Sequence, residues 1–371
     1  MTTTRNAWRR FAVAGAITAG TIAALPMLAT RAAADDSDGH GPSHLPSATV
    51  VAHPPTGAKG PDDLTRLAVD GLAHGRSLLW TAFQNGIGPD GTAGPSGVAA
   101  STVAGYDPGN GSSPVATIQV PGKVDGLTAD PGRDRLIATV NEDNNSALDV
   151  IDPGGGTVTK YKYNPNPSVS GNGGTDSVAV KSGRIFIVHS NPNDASQAAE
   201  YEATLDAGSG AANLRPVFLC NSAAKDAVTG AATTLALTDP DTSAFIAKSA
   251  PRFGGQLATV GQGDGQIVFA SHLDDESTPK LTVLNLSDNT GTTPQVDGLA
   301  TATSDHGTLY VVDNKAGSIS ALDTAGWPSG TVFVGSPNGL GTLDLSTGKI
   351  TALSNTFQSP KGLLFVPPSD D

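Results

Sequence analysis

The sequence predicts an all-β protein folded as a β-propeller of about six blades, with five to seven admissible, behind a signal peptide and a short linker. Three observations predict it. A unit of short apolar strands recurs along the chain. No helical hydrophobic period is sustained over any long segment. Finally, 45 Gly and 26 Pro punctuate a chain of 371 residues with few aromatics, the composition of many short strands and turns.

The first thirty-four residues read as an export signal. Arg5, Arg9 and Arg10 precede an apolar stretch from Phe11 to Met27, and the small residues Ala32 to Ala34 follow it. Cleavage is expected after Ala34, and the secreted, extracellular form is the expected one. Arg9-Arg10 is also compatible with a twin-arginine signal, so the export route stays open. Residues 35–60, bearing Pro, Gly, His40 and His44, read as a flexible linker with an optional strand at 48–52. The propeller domain is expected over 61–368.

None of the thirty-five acidic residues lies in the signal segment, whereas four of the twenty-two basic ones do, so the mature chain carries net −17. Such a balance excludes nucleic acid and anionic membranes as expected partners. It leaves carboxylates available for cations. The single cysteine, Cys220 in "PVFLC", rules out an intramolecular disulfide and reads as a buried strand residue. A monomer is expected, with a small polar molecule or an extracellular protein as partner.

The repeated unit begins with a polar residue ahead of a short apolar strand. A strongly apolar strand with a polar stop follows, then an alternating strand. The clearest copy runs Asp125-Gly-Leu-Thr-Ala, Leu136 to Val140 stopping at Asn141, then Ala147 to Asp152. Others start at Asp63 (Leu78 to Phe83, Asn85 just beyond), Asp176 (Ile185 to Val188, stopping at His189) and Asp297 (Leu309 to Val312, stopping at Asp313). A worn copy runs Leu257 to Val260, then Ile267 to Ser271 with His272 next, and Lys361-Gly-Leu-Leu-Phe-Val resembles one more first strand. The wide interval before Leu257 has room for another hairpin, "TTLALTDPDTSAFIA" from Thr233. Blades sandwiched in a ring bury both faces of their inner strands, which accounts for unbroken runs such as "LIATV" and "LYVV".

The polar stops are expected to gather around the axis where water reaches them. Asp63, Asn85, Asp125, Asn141, Asp176 and Asp313 are the candidate metal ligands, and His189, His272 and Asp297 complete a ligand-binding mouth. Carboxylate and amide oxygens suit a hard cation, Ca2+ before Mg2+ or Mn2+. Turn chemistry is the competing account, because Asp-Gly and Asp-Asn are favoured turn pairs. "GNGGTD" and "GSGAAN" lack the Lys-Ser/Thr ending of a phosphate loop, and no G-x-S-x-G or H-E-x-x-H pattern is present.

At "LYVVDNKAGSIS" and "DGLTADPGRDRLIATV" the unit resembles the gluconolactonase and regucalcin-like six-bladed propellers. The resemblance implies a divalent cation at the channel mouth that polarises a lactone carbonyl and activates water. It implies catalytic roles for Asp313, which matches the family's Asp after the apolar run, and for Asn141, with Asp125 beside the ion. The glutamate that the family carries ahead of its first inner strand is replaced here by Asp62 or Asp63. Three functions are therefore set against one another: a cation- or polar-ligand-binding propeller, a metal-dependent lactonase or esterase, and an extracellular interaction scaffold using loops 84–97 and 191–199.

Overall fold

A computed structural model describes residues 47–168, 173–274, 278–354 and 356–368. The expected signal peptide and the linker as far as residue 46, His40 and His44 included, lie outside the described residues. Among the described residues there is no α-helix, and strands account for nearly all regular structure.

Strand β1 (Thr49–Ala52) is followed by a four-stranded antiparallel unit, β2 (Pro61–Ala68), β3 (Ser77–Phe83), β4 (Ala100–Tyr106) and β5 (Ala116–Pro121), paired in chain order. Units of the same design follow. They are β6 (Val124–Asp130), β7 (Arg135–Val140), β8 (Ala147–Asp152) and β9 (Thr157–Asn164), then β10 (Thr175–Lys181), β11 (Arg184–His189), β12 (Ala198–Asp206) and β13 (Ala211–Leu219). A parallel contact between the outer strands β9 and β13 joins these two into one eight-stranded sheet.

A hairpin, β14 (Ala223–Asp226) and β15 (Ala232–Thr234), adds to the outer edge of the next unit, β16 (Pro240–Phe245), β17 (Leu257–Gly261), β18 (Gln266–Ser271) and β19 (Lys280–Asn285). The remaining strands are β20 (Gly298–Thr301), β21 (Thr308–Asp313), β22 (Ser318–Asp323), β23 (Val332–Ser336), β24 (Gly339–Leu343), β25 (Ile350–Ser354) and β26 (Pro360–Val366). They pair as β20-β23-β24-β25 and as β1-β22-β21-β26.

Around the axis, β2 packs on β6, β6 on β10, β10 on β16, β16 on β20, β20 on β26 and β26 on β2. This closed cycle of first strands is the arrangement of a β-propeller. The core sits between neighbouring units rather than inside any one. Leu78, Trp80 and Val103 pack with Leu136, Ala138 and Ile151. Phe186 and Phe218 pack with Leu257 and Val268, and Ala52, Leu79 and Tyr106 pack with Val312 and Ile319. Each leucine, isoleucine, valine or phenylalanine among them, fully buried, contributes about 1.5–3 kcal/mol relative to exposure. No unit covers both of its faces alone, so the units stabilise one another.

Four sequence expectations change. Asp297 and the apolar run Leu309 to Val312 do not belong to one unit: β20 pairs with β23, and the β21–β22 hairpin pairs with β26 and β1. Leu257 to Val260 is a second strand, because the more polar β16 supplies the first. β15 and β16, expected as one hairpin, stand at opposite edges of their sheet. Residues 49–52, expected within the linker, form the outermost strand beside β22. One sheet therefore holds both the first and the last strand of the described chain, a clasp that closes the ring.

Candidate functional site

The first strands share a local irregularity. Register shifts fall between Pro61 and Leu64 in β2, Val124 and Gly126 in β6, Thr175 and Val178 in β10, and Pro240 and Thr242 in β16. In β26 the shift lies where Pro360 and Leu363 oppose Asp313 and Val311. A β-bulge leaves one residue unpaired and re-aims its side chain. The residues so placed are Asp62, Asp125, Asp176, Asp241 and Lys361, and Asp297 takes the same place immediately ahead of β20. The following position is small in most units because neighbouring first strands nearly touch there. A Cβ on Gly298 would stand 1.8 Å from the Lys361 carbonyl oxygen, and one on Gly362 2.7 Å from the Leu64 nitrogen.

These side chains line an axial cavity of about 290 Å3, joined by Asp63, Lys123, Glu142, Asp239 and Gln262. Two glutamines tie the ring together. Gln84, directly after β3, donates to Asp62 (2.6 Å) and Asp125 (3.3 Å), and Gln262, directly after β17, donates to Asp241 (3.4 Å) and to Asp297. Lys361 Nζ lies 3.6 Å from Asp62, and Lys123 pairs with Asp125 and with Glu142 (3.5 Å). Asp63 points instead along the wall, accepting from the Leu127 amide at 2.8 Å.

Carboxylates outnumber ammonium groups here, and their proton affinities rise accordingly. Burial, then the charge of Asp62, raises Asp63 to about 8. Burial raises Asp125 to about 7 against the pull of Lys123, and Asp297 to about 7 against that of Lys361. Asp239 is raised to about 6, and Asp176 and Asp241 are raised as well, burial leading in each case. The charge of Asp62 holds Lys361 protonated well above the usual lysine range. Burial opposes protonation of Lys123, but Asp125 outweighs it. A site so charged attracts cations and repels anions.

The structure divides the sequence-predicted site residues into two groups. Asp63, Asp125, Asp176 and Asp297 line the axial cavity. The polar stops do not. Asn85 accepts from the Lys59 amide (3.2 Å) and donates to the Ala100 carbonyl (2.9 Å). Asn141 accepts from the Lys123 amide (2.9 Å), and both asparagines are left-handed, with φ of 58° and 61°. Asp313 accepts three amides, from Ala316 (3.0 Å), Gln358 (2.7 Å) and Ser359 (3.1 Å). His189 is buried with Nδ1 3.0 Å from the Ala198 carbonyl, and burial lowers its pKa. His272 follows a third strand and is exposed.

Turn chemistry thus accounts for the stops. They also occupy unequal registers: opposite the start of each first strand stand Phe83, Val140, His189 and Asp313. Sequence reasoning named Asp62 only as an alternative to Asp63 and missed Asp241, Lys361, Gln84 and Gln262 as site residues. A readable signal existed: "VDG", "TDS", "PDT", "VDG" and "PKG" align on their small third residue, and "PDD" joins them on its first two.

No protein-family model and no curated protein matches the chain. Among solved structures it is similar to the periplasmic gluconolactonase of Pseudomonas aeruginosa, at 14% identity and a TM-score of 0.46, covering 82% of this chain and 88% of that one. It is similar also to a streptogramin B lyase (14%, 0.44, 86% and 91%) and to a β-propeller domain from Myceliophteria thermophila (12%, 0.43, 81% and 74%). The likeness is one of fold. Among the described residues no helix is long and apolar enough to cross a membrane, and no three His, Cys, Asp or Glu side chains are drawn close enough to cage a metal ion.

Proposed function

We propose that this chain is an exported six-bladed β-propeller that binds a small cationic ligand, inorganic or organic, at the mouth of its axial channel. The observation that carries this reading is the equivalence of Asp62, Asp125, Asp176, Asp241 and Lys361 in bulged first strands, with Asp297 immediately ahead of β20. Water-accessible carboxylates converging on one cavity make a low-energy seat for positive charge. Ca2+ remains the first inorganic candidate, since it accepts six to eight oxygens in flexible geometry whereas Mg2+ demands a near-ideal octahedron. Seating it requires ring side chains to turn inward from their glutamine and lysine partners. Asp313 and Asn141 receive no hydrolytic role, because both side chains are spent on backbone groups away from the cavity.

The test is calorimetric titration of the exported form with Ca2+, Mg2+, Mn2+ and methylammonium, beside Asp241→Asn. Saturable 1:1 binding of one of these cations, weakened in the variant, is expected. A bound cation at a hundredfold over its dissociation constant then adds about 2.7 kcal/mol of stability. No binding of any of the four overturns the reading.

A further inference from the structure

Among the described residues asparagine precedes glycine at Asn85-Gly86, Asn110-Gly111 and Asn338-Gly339. In such a pair the glycine amide nitrogen can attack the asparagine side-chain amide, because glycine has no Cβ to obstruct the approach. The fold disarms two of the pairs. Asn85 is buried, and its Nδ2 donates to the Ala100 carbonyl (2.9 Å) and to Thr102 Oγ1 (3.1 Å) while its Oδ1 accepts from the Lys59 amide (3.2 Å). Gly339 is buried at the start of β24 and pairs with Ser336 across the hairpin, so the ladder holds its nitrogen in place. Asn110-Gly111, in the loop between β4 and β5, has neither protection. Both residues are exposed, and among the described residues neither the Asn110 side chain nor the Gly111 amide makes a hydrogen bond. Space around Gly111 is open, for a Cβ placed there meets nothing within 4 Å.

We propose that Asn110 is a site of spontaneous deamidation whose isoaspartyl product loosens the clasp that closes the ring. The Gly111 nitrogen gives up its proton and bonds to Asn110 Cγ, the bond from Cγ to Nδ2 breaks, and ammonia leaves with the proton. Water then opens the resulting succinimide at either carbonyl, giving aspartate or isoaspartate. In isoaspartate the main chain runs through Cβ and Cγ and is longer by a methylene. That change falls between two anchors of the clasp. Tyr106, at the end of β4, donates its hydroxyl to the His53 carbonyl (2.8 Å), and Ser112, just beyond Gly111, accepts from the His53 amide (3.0 Å). His53 directly follows β1, an outermost strand of 4 residues paired on one side only. Lengthening the chain between Tyr106 and Ser112 pulls apart two groups that must grip the same residue, and a short edge strand is among the first elements to open when such support goes.

The test is incubation of the folded protein in neutral buffer, with peptide mass mapping over time and isoaspartate detected by enzymatic methylation. Asn110 is expected to convert well ahead of Asn85 and Asn338, with isoaspartate among the products, and the difference is expected to vanish in urea, where the fold protects none of them. Aged protein is expected to melt at a lower temperature and to be cut sooner by protease within residues 53–60. Asn110→Gln, incubated alongside, is expected to show neither change. Asn110→Asp, which adds the charge without the methylene, is expected to match fresh wild type. Conversion of Asn110 no faster than that of Asn85 or Asn338 in the folded protein overturns the site, as does aspartate without isoaspartate. Isoaspartate formation that leaves melting and proteolysis unchanged, or an Asn110→Asp protein already loosened when fresh, overturns the effect on the clasp.

Discussion

Replacing Glu200 by Gln is expected to stabilise the protein at neutral pH. Glu200 lies on β12 with none of its surface exposed, and its carboxyl reaches across to the adjoining unit, where Ser243 (3.0 Å) and Thr259 (2.8 Å) donate to it. Burial raises its pKa from 4.5 to about 8, the two hydroxyl donors only partly opposing the rise. With a folded pKa above the unfolded value, the folded state holds the proton more tightly. Its stability contribution is complete below about 4.5 and is lost as pH climbs towards 8.

Each unit of pH inside that window costs about 1.4 kcal/mol, so wild type at pH 7 has given up about 3 kcal/mol through this group. Glutamine preserves shape and hydrogen bonding without the ionisation. Urea unfolding of both proteins from pH 4.5 to 8 measures the difference and cancels the other raised carboxyls, which lie too far away to couple strongly. The gap is expected to be near zero at the acid end and to widen monotonically to about 3 kcal/mol at pH 7. A gap that does not depend on pH refutes the placement of an uncompensated carboxyl between these units.

Three further outcomes are expected. Lys361→Met removes the ammonium from the ring and is expected to destabilise by about 1–2 kcal/mol at pH 7, with a smaller loss at pH 5 where the raised carboxyls are protonated; thermal melts at the two pH values check it. Asp313→Ala strands three amide donors and is expected to cost about 1–3 kcal/mol while leaving cation affinity unchanged, read from denaturation and calorimetry on the same samples. Removing residues through Ala52 deletes the outermost strand of the clasp and exposes the edge of β22; a lower, less cooperative melt is expected, with the ligand site intact at temperatures where the ring stays closed.

Much of the architecture was legible in the sequence. Runs such as Leu136 to Val140 and Leu309 to Val312 must be buried on both faces, and the turn residues between them are too frequent for any fold but short antiparallel strands. The Asp leading four of the units was equally visible, and Asp125, Asp176 and Asp297 do line the cavity. Strand periodicity cannot supply register. A bulge shifts pairing by one residue, and in a strand one residue is the difference between facing the axis and facing the wall. That is why Asp62 enters the ring while Asp63 binds the Leu127 amide, and why Asn141 and Asp313 hold turns although they follow the same kind of apolar run.

Local pattern likewise cannot show which sheet a strand joins, since Asp297 leads a strand whose sequence neighbours β21 and β22 pair elsewhere. What the sequence determined by itself is the set of strands and their charge, because burial and turn chemistry act within a few residues. Tertiary structure alone decided the ring, because Lys361 and Asp62, 299 positions apart, meet only when β26 closes against β2.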